Sequence, residues 1–211
     1  SKLQQMTDPQ VELMAKLIFF DQQNFRHIQF KRITPNTVNY TKERIIFQVN
    51  QTASFLVCPF DSIHSISHVS FQWKASGQLK KLSVEHEASR EGDDAWIRVG
   101  LILKSESDFV DPIGPRWIRQ TMETLKFPAD KIIFLIPEAK HAPGEIWLNP
   151  YSRRVKMIAL GSTGHQDGWR TSEYHFTTPQ KTVGILLMAD GDNTKSAFTA
   201  EIKNLFIEYP N

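Results

Sequence analysis

Residues 69–75 alternate strictly between apolar and polar. Val69, Phe71, Trp73 and Ala75 fall on one side, and Ser70, Gln72 and Lys74 on the other. A period of two marks a strand with one face buried. Residues 94–103 repeat the pattern: Ala95, Ile97, Val99, Leu101 and Leu103 are expected in a core, with Asp94, Trp96, Arg98 and Gly100 facing away. Further strands are expected over 44–50 and 54–58, split by Gln51-Thr52, and over 131–136, 153–160, 182–189 and 197–208. Gly, Pro, Asn and Asp fill the gaps between them, as turns require.

Two stretches depart from this period. Asp8-Pro9 followed by Val11, Met14, Leu17 and Ile18 has helical spacing, with Asp8 as cap and Pro9 in the first turn. It predicts a short N-terminal helix within the lead-in, 1–27. Residues 105–130 open with Asp111-Pro112-Ile113-Gly114-Pro115 and continue with Trp117, Ile118, Met122 and Leu125, a loop and short helix laid over the strands. Many short strands with short gaps predict an all-β fold, a two-sheet antiparallel jelly-roll-like sandwich, as a single domain over 1–211.

Composition narrows the partners. The chain carries 25 Lys and Arg against 23 Asp and Glu, a net charge of +2. Its densest basic clusters are the pairs Lys80-Lys81 and Arg153-Arg154, not the stripe a nucleic-acid binder shows. The longest apolar runs, Ile132 to Ile136 and Ile185 to Ala189, are far short of the ~20 residues a membrane helix needs. The single cysteine, Cys58, excludes an internal disulfide and a cysteine-cluster metal site, and reads as a small buried hydrophobe. The sequence begins at Ser1, as it would after removal of a leader or after trimming, which leaves export open.

No nucleophile elbow, zinc-protease helix or phosphate-binding glycine loop is present. His64 and His68 are four apart but lie in a loop or strand, which argues against a helical zinc pair. Three segments carry candidate chemistry. Asp190-Gly191-Asp192-Asn193-Thr194 follows an apolar strand, and Asp190, Asp192 and Asn193 could hold calcium or simply form a turn. Asp93 and Asp94 lead into Trp96 and Arg98, and alternation puts Asp94, Trp96 and Arg98 on one face. That face could hold a sugar, with the indole as platform, or could be an ion pair with Trp96 packed under residues 105–130. Trp147 and Tyr151 flank an Asn149-Pro150 turn, as a binding rim or as aromatics packed on the core edge.

Together these segments resemble the bacterial domain-of-unknown-function 3047 family. The likeness runs from about Ile33 to Glu208. It rests on Glu91-Gly92-Asp93-Asp94 with Arg98-Val99, on Trp147-Leu148-Asn149-Pro150-Tyr151 with Arg153-Arg154-Val155, and on Gly184-Ile185 through Ala189-Asp190-Gly191-Asp192-Asn193-Thr194. Thr199-Ala200-Glu201 stands where the family usually closes with Tyr-Gly-Asp. The resemblance implies export to the periplasm or cell envelope and assigns no activity.

The leading expectation is a non-catalytic binding module for a glycan or similar polar ligand. Its rivals are a polysaccharide-acting enzyme using paired carboxylates, Asp93 with Asp94 or Asp190 with Asp192, and a structural protein-interaction domain.

Overall fold

The computed structural model describes residues 13–18, 20–108 and 114–210. Its strands are β1 (Leu13–Leu17), β2 (Arg26–Gln29), β3 (Thr37–Tyr40), β4 (Arg44–Asn50), β5 (Ala53–Gln78), β6 (Ala95–Lys104), β7 (Ala129–Pro137), β8 (Ile146–Asn149), β9 (Ser152–Leu160), β10 (Thr163–Gly164), β11 (Arg170–Asp190) and β12 (Ala197–Pro210). Two short helices, α1 (Val84–Glu87) and α2 (Arg116–Glu123), interrupt them. The fold is all-β and sandwich-like.

Hydrogen bonds link the strands into one sheet in the order β3-β4-β12-β5-β11-β6-β7-β9-β8, where two separate sheets were expected. The reason is length. The strands expected over 54–58 and 69–75 are one element, β5, and β11 begins well before residue 182. The first part of β5 pairs β2 and the second part pairs β12, while β11 follows β5 through both, with register breaks between His175 and Gln180 and between Thr182 and Gly184.

The sheet closes over one main core. Phe47 of β4, Phe71 and Trp73 of β5, Val99 of β6, Leu135 of β7 and Ile202 of β12 are buried in the same cluster. Trp96 of β6 meets Phe198 of β12 edge to face at 5.0 Å, although the two strands are not neighbours in the sheet.

The other face of β6, β7, β9 and the second part of β11 is buried as well. Phe134, Met157, Leu186 and Met188 form a second cluster there, covered by Phe30, Trp117 and Ile118 of α2. Burial on both faces explains why Ile132 to Ile136 is apolar throughout instead of alternating.

The N-terminal helix is not found where it can be checked. Met14 and Leu17 lie in β1, antiparallel to β12 from Leu13 opposite Pro210 to Leu17 opposite Phe206. Local spacing allowed a helix; the open edge of β12 offers a ladder of backbone partners instead. The expected cap, Asp8-Pro9, and Val11 lie outside the described residues. Among the described residues no helix is long and apolar enough to cross a membrane.

Candidate functional site

Alternation along β6 sends Ile97, Val99 and Leu101 into the main core and turns Arg98 into the second, apolar face. A guanidinium buried there needs partners. Arg98, 3% exposed, donates through Nη2 to Asp93 Oδ1 at 2.8 Å and through Nη1 to Asp190 Oδ2 at 3.2 Å. It also lies 5.7 Å from the centre of the Phe134 ring. Burial opposes its charge, but Asp93, Asp190 and Asp94 more than compensate and raise its pKa.

Asp93 sits in the turn before β6. Its Oδ2 accepts a hydrogen bond from Asn149 Nδ2 at 3.3 Å. That turn requires the preceding glycine: a Cβ on Gly92 would lie 2.0 Å from the carbonyl oxygen of His86 in α1. Asp94 points elsewhere. Its Oδ2 accepts from Thr194 N and Thr194 Oγ1, both at 2.6 Å, and its Oδ1 from Asn193 N at 3.4 Å. Asp94 therefore clamps the turn after β11 to the turn before β6. Asn193 Nδ2 then donates to the Tyr151 hydroxyl at 2.8 Å and to the Arg90 carbonyl at 2.8 Å.

These contacts bring the three sequence segments to one place. Asp93, Arg98, Tyr151, Asp190, Asp192 and Asn193 line a pocket of about 120 Å³. Its apolar walls are Phe30, Ile33, Trp117, Phe134 and Met188, and Asn149 completes the polar side. A larger recess of about 370 Å³ lies among Lys16, Phe60, Asp61, His64 and Lys126, without a comparable group of buried charges.

Four carboxylates crowd one guanidinium. Carboxylate oxygens of Asp94, Asp190 and Asp192 lie within 4.8 Å of one another. Asp190 is 6% exposed, and its Oδ1 has no donor among the described residues. Burial first, then the negative charge of Asp94 and the neighbouring Asp192 carboxyl, hold the Asp190 carboxyl well above the usual carboxylate range. Asp93 is also raised, by burial against the opposing pull of Arg98. The excess negative charge favours a proton on Asp190 or a cation held between Asp190 and Asp192.

Three expected site residues lie outside the pocket lining: Asp94, which holds the turn after β11, Trp96 and Trp147. Trp96 does not share a face with Asp94 and Arg98, because β6 and β11 shift register between Met188 and Asp190 and the indole turns onto Phe198. Its ring partner among the described residues is Phe198, across the main core, and not a residue of the expected 105–130 cover. Trp147 is on β8 and stacks on His141 at 3.8 Å and 5°, behind the pocket. Asn193 is placed in the pocket, but its amide nitrogen serves Tyr151 and Arg90, and Asp94 is the third acid beside Asp190 and Asp192.

A buried group that the sequence left unmarked supports this wall. Glu87 of α1 accepts from Lys81 Nζ, from the backbone of Lys140 and His141, and from His141 Nδ1 at 2.7 Å. Burial works against the Glu87 carboxylate, but Lys81 and the two backbone donors bring its pKa down to about 2. Phe30, Phe134 and Met188 also carried no sequence signal, since each reads as ordinary core.

A family model described as "Protein of unknown function (DUF3047)" matches residues 23–206. The chain belongs to the DUF3047 family. All three segments that form the pocket of this DUF3047 domain lie within the match. No curated protein matches it. Among solved structures it is similar to a family 11 carbohydrate-binding module from Clostridium thermocellum in complex with a β-1,3-1,4-mixed-linked tetrasaccharide, at 10% identity, 92% and 94% coverage of the two chains and a TM-score of 0.45. It is also similar to the Emp47p carbohydrate recognition domain, at 10% identity, 97% and 99% coverage and a TM-score of 0.41. A mannan-recognising module, TmCBM27, follows at 8% identity, 95% and 99% coverage and a TM-score of 0.36. At these identities and TM-scores the likenesses carry no argument about what the DUF3047 domain binds.

Proposed function

We propose that this domain is a non-catalytic binding module, jelly-roll-like in its fold, that takes a single terminal unit of a glycan or a similar polar ligand between Tyr151 and the Asp93–Arg98–Asp190 group. The observation that carries the reading is the pocket itself: aromatic walls around a convergent set of fixed charges. Sugars need both, an apolar platform for the ring face and charged hydrogen-bond partners for the hydroxyls. A volume of about 120 Å³ is below the ~300–1,000 Å³ of pockets that enclose drug-sized ligands, which favours one ring over a run of them. Asp190 and Asp192, with Asp94, also offer oxygens to a calcium ion. Location in the periplasm or envelope is part of the same proposal and follows from the likeness of the segments to exported proteins.

One observation favours a catalytic alternative: the buried Asp190 carboxyl, its pKa raised first by burial, lies beside the Asp192 carboxyl, and glycoside chemistry uses two neighbouring carboxyls in unlike environments. A glycan panel separates the two. Binding predicts hits that are recovered unaltered and that disappear in Tyr151→Ala and Asp192→Asn while the melting temperature holds. Cleaved glycan, lost in Asp192→Asn, would replace the binding reading with catalysis. An empty panel at high protein concentration removes both.

A further inference from the structure

Three paired strands assemble a second group of ligating side chains that shares no residue with the pocket. In the register of β12, β5 and β11, Glu208 lies opposite His68 and His68 opposite His175. Directly opposed residues project on the same face of a sheet. Glu173, two residues before His175, projects there too. Their neighbours Val69, Tyr174 and Ile207 point the other way, into the main core. The two imidazoles stack at 3.9 Å and 12°. His68 Nε2 lies 3.0 Å from Glu173 Oε2, and His175 Nε2 lies 3.9 Å from that same oxygen. On its far side, His68 Nδ1 is buried without a hydrogen-bond partner among the described residues, and Glu208 Oε2 stands 3.4 Å away.

We propose that His68, Glu173 and His175 bind a divalent transition metal of the zinc type, with Glu208 orienting His68. Two imidazoles and a carboxylate are a nitrogen–oxygen donor set that suits zinc. Tetrahedral zinc with bonds of about 2.0–2.1 Å keeps its ligand atoms somewhat over 3 Å apart. The 3.0 and 3.9 Å separations bracket that spacing. A metal-bound histidine commonly gives its other ring N–H to a carboxylate, and that is the position of Glu208. Glu173 is 58% and His175 72% exposed, which leaves a fourth position open to water. Sheet stability does not require this arrangement, because exposed ion pairs contribute about 0–1 kcal/mol. The pair His64 and His68 is not the site: four residues along a strand span about 13 Å.

Zinc titration of the full chain by calorimetry, with cobalt absorption as the spectroscopic counterpart, tests the proposal. One saturable equivalent is expected, with the visible bands of a four-coordinate cobalt centre. His68→Gln and His175→Gln should each weaken binding at least about tenfold, and Glu208→Gln about 10- to 100-fold or less as an orienting residue. Asp192→Asn, in the pocket, should leave zinc binding unchanged. His175 and Glu208 lie toward the sheet surface, Asp192 lies in a turn and His68 is mostly buried, and retention of the wild-type melting temperature confirms that each variant is folded. Absence of saturable uptake, or uptake of equal affinity in both histidine variants, overturns the proposal.

Discussion

Arg98 and Asp93 are five residues apart and form a buried ion pair at 2.8 Å, with Asp190 completing the guanidinium's partners from the end of β11. Removing the cation leaves Asp93 and Asp190 buried without compensation. Arg98→Ala should therefore cost about 3–5 kcal/mol, the range for breaking a buried pair from one side. Denaturant unfolding measures it, and a loss below about 1 kcal/mol, the level of a surface substitution, would contradict the buried-pair account.

Two of the perturbed acids, Asp190 and Glu87, predict opposite pH slopes. Asp190 has a raised pKa in the folded chain, so its contribution is complete below the ordinary carboxylate range and is lost as pH rises through the raised value. Glu87 has a lowered pKa, so its contribution is complete above about 4.5 and is lost as pH falls toward about 2. Stability should peak between the two. Asp190→Asn should flatten the alkaline side of the melting profile and leave the acid side unchanged.

Calcium held by Asp190 and Asp192 should compete with protonation of Asp190. A cation that binds only the folded chain stabilises it by about 2.7 kcal/mol at a hundredfold excess over its dissociation constant. The melting temperature should rise more with calcium over chelator at pH 8 than at pH 5, and not at all in Asp192→Asn. Equal melting with calcium and chelator at both pH values would remove calcium as a ligand of these acids.

Trp96 and Tyr151 separate packing from binding. Trp96→Ala removes the ring against Phe198 and should cost up to about 3 kcal/mol while leaving any glycan hit intact. Tyr151, 40% exposed at the pocket, should behave in reverse. A Trp96→Ala variant of unchanged stability that loses the ligand would move the site to the other face of β6.

Val99 and Lys74 test the core. Val99 is 0% exposed in the main cluster, and Val99→Asp should unfold the domain, because an unpaired buried carboxylate costs several kcal/mol. Lys74 pairs with Glu201 at 3.4 Å on the sheet surface, and Lys74→Ala should cost at most about 1 kcal/mol. Circular dichroism and unfolding curves read both.

The sequence by itself determined the all-β class, the inward faces of the second part of β5 and of β6 from Ile97 onward, and most of the residues that carry charge in the pocket. It could do so because period-two alternation and turn chemistry are local properties. Family membership was legible for the same reason, in short segments with a fixed order. What joins those segments is not local. Arg98 meets Asp190 across 92 residues of chain, and Asp94 meets Thr194 across 100. The register break beside Asp190 turned Trp96 away from Arg98, and a one-residue change of phase in a strand moves a side chain to the opposite face. The edge of β12 drew Met14 and Leu17 into a strand although their spacing suited a helix. The row of Glu208, His68 and His175 exists only once three strands pair. Tertiary structure decided these points because a strand's pattern says which residues share a face, while pairing and register decide which faces meet.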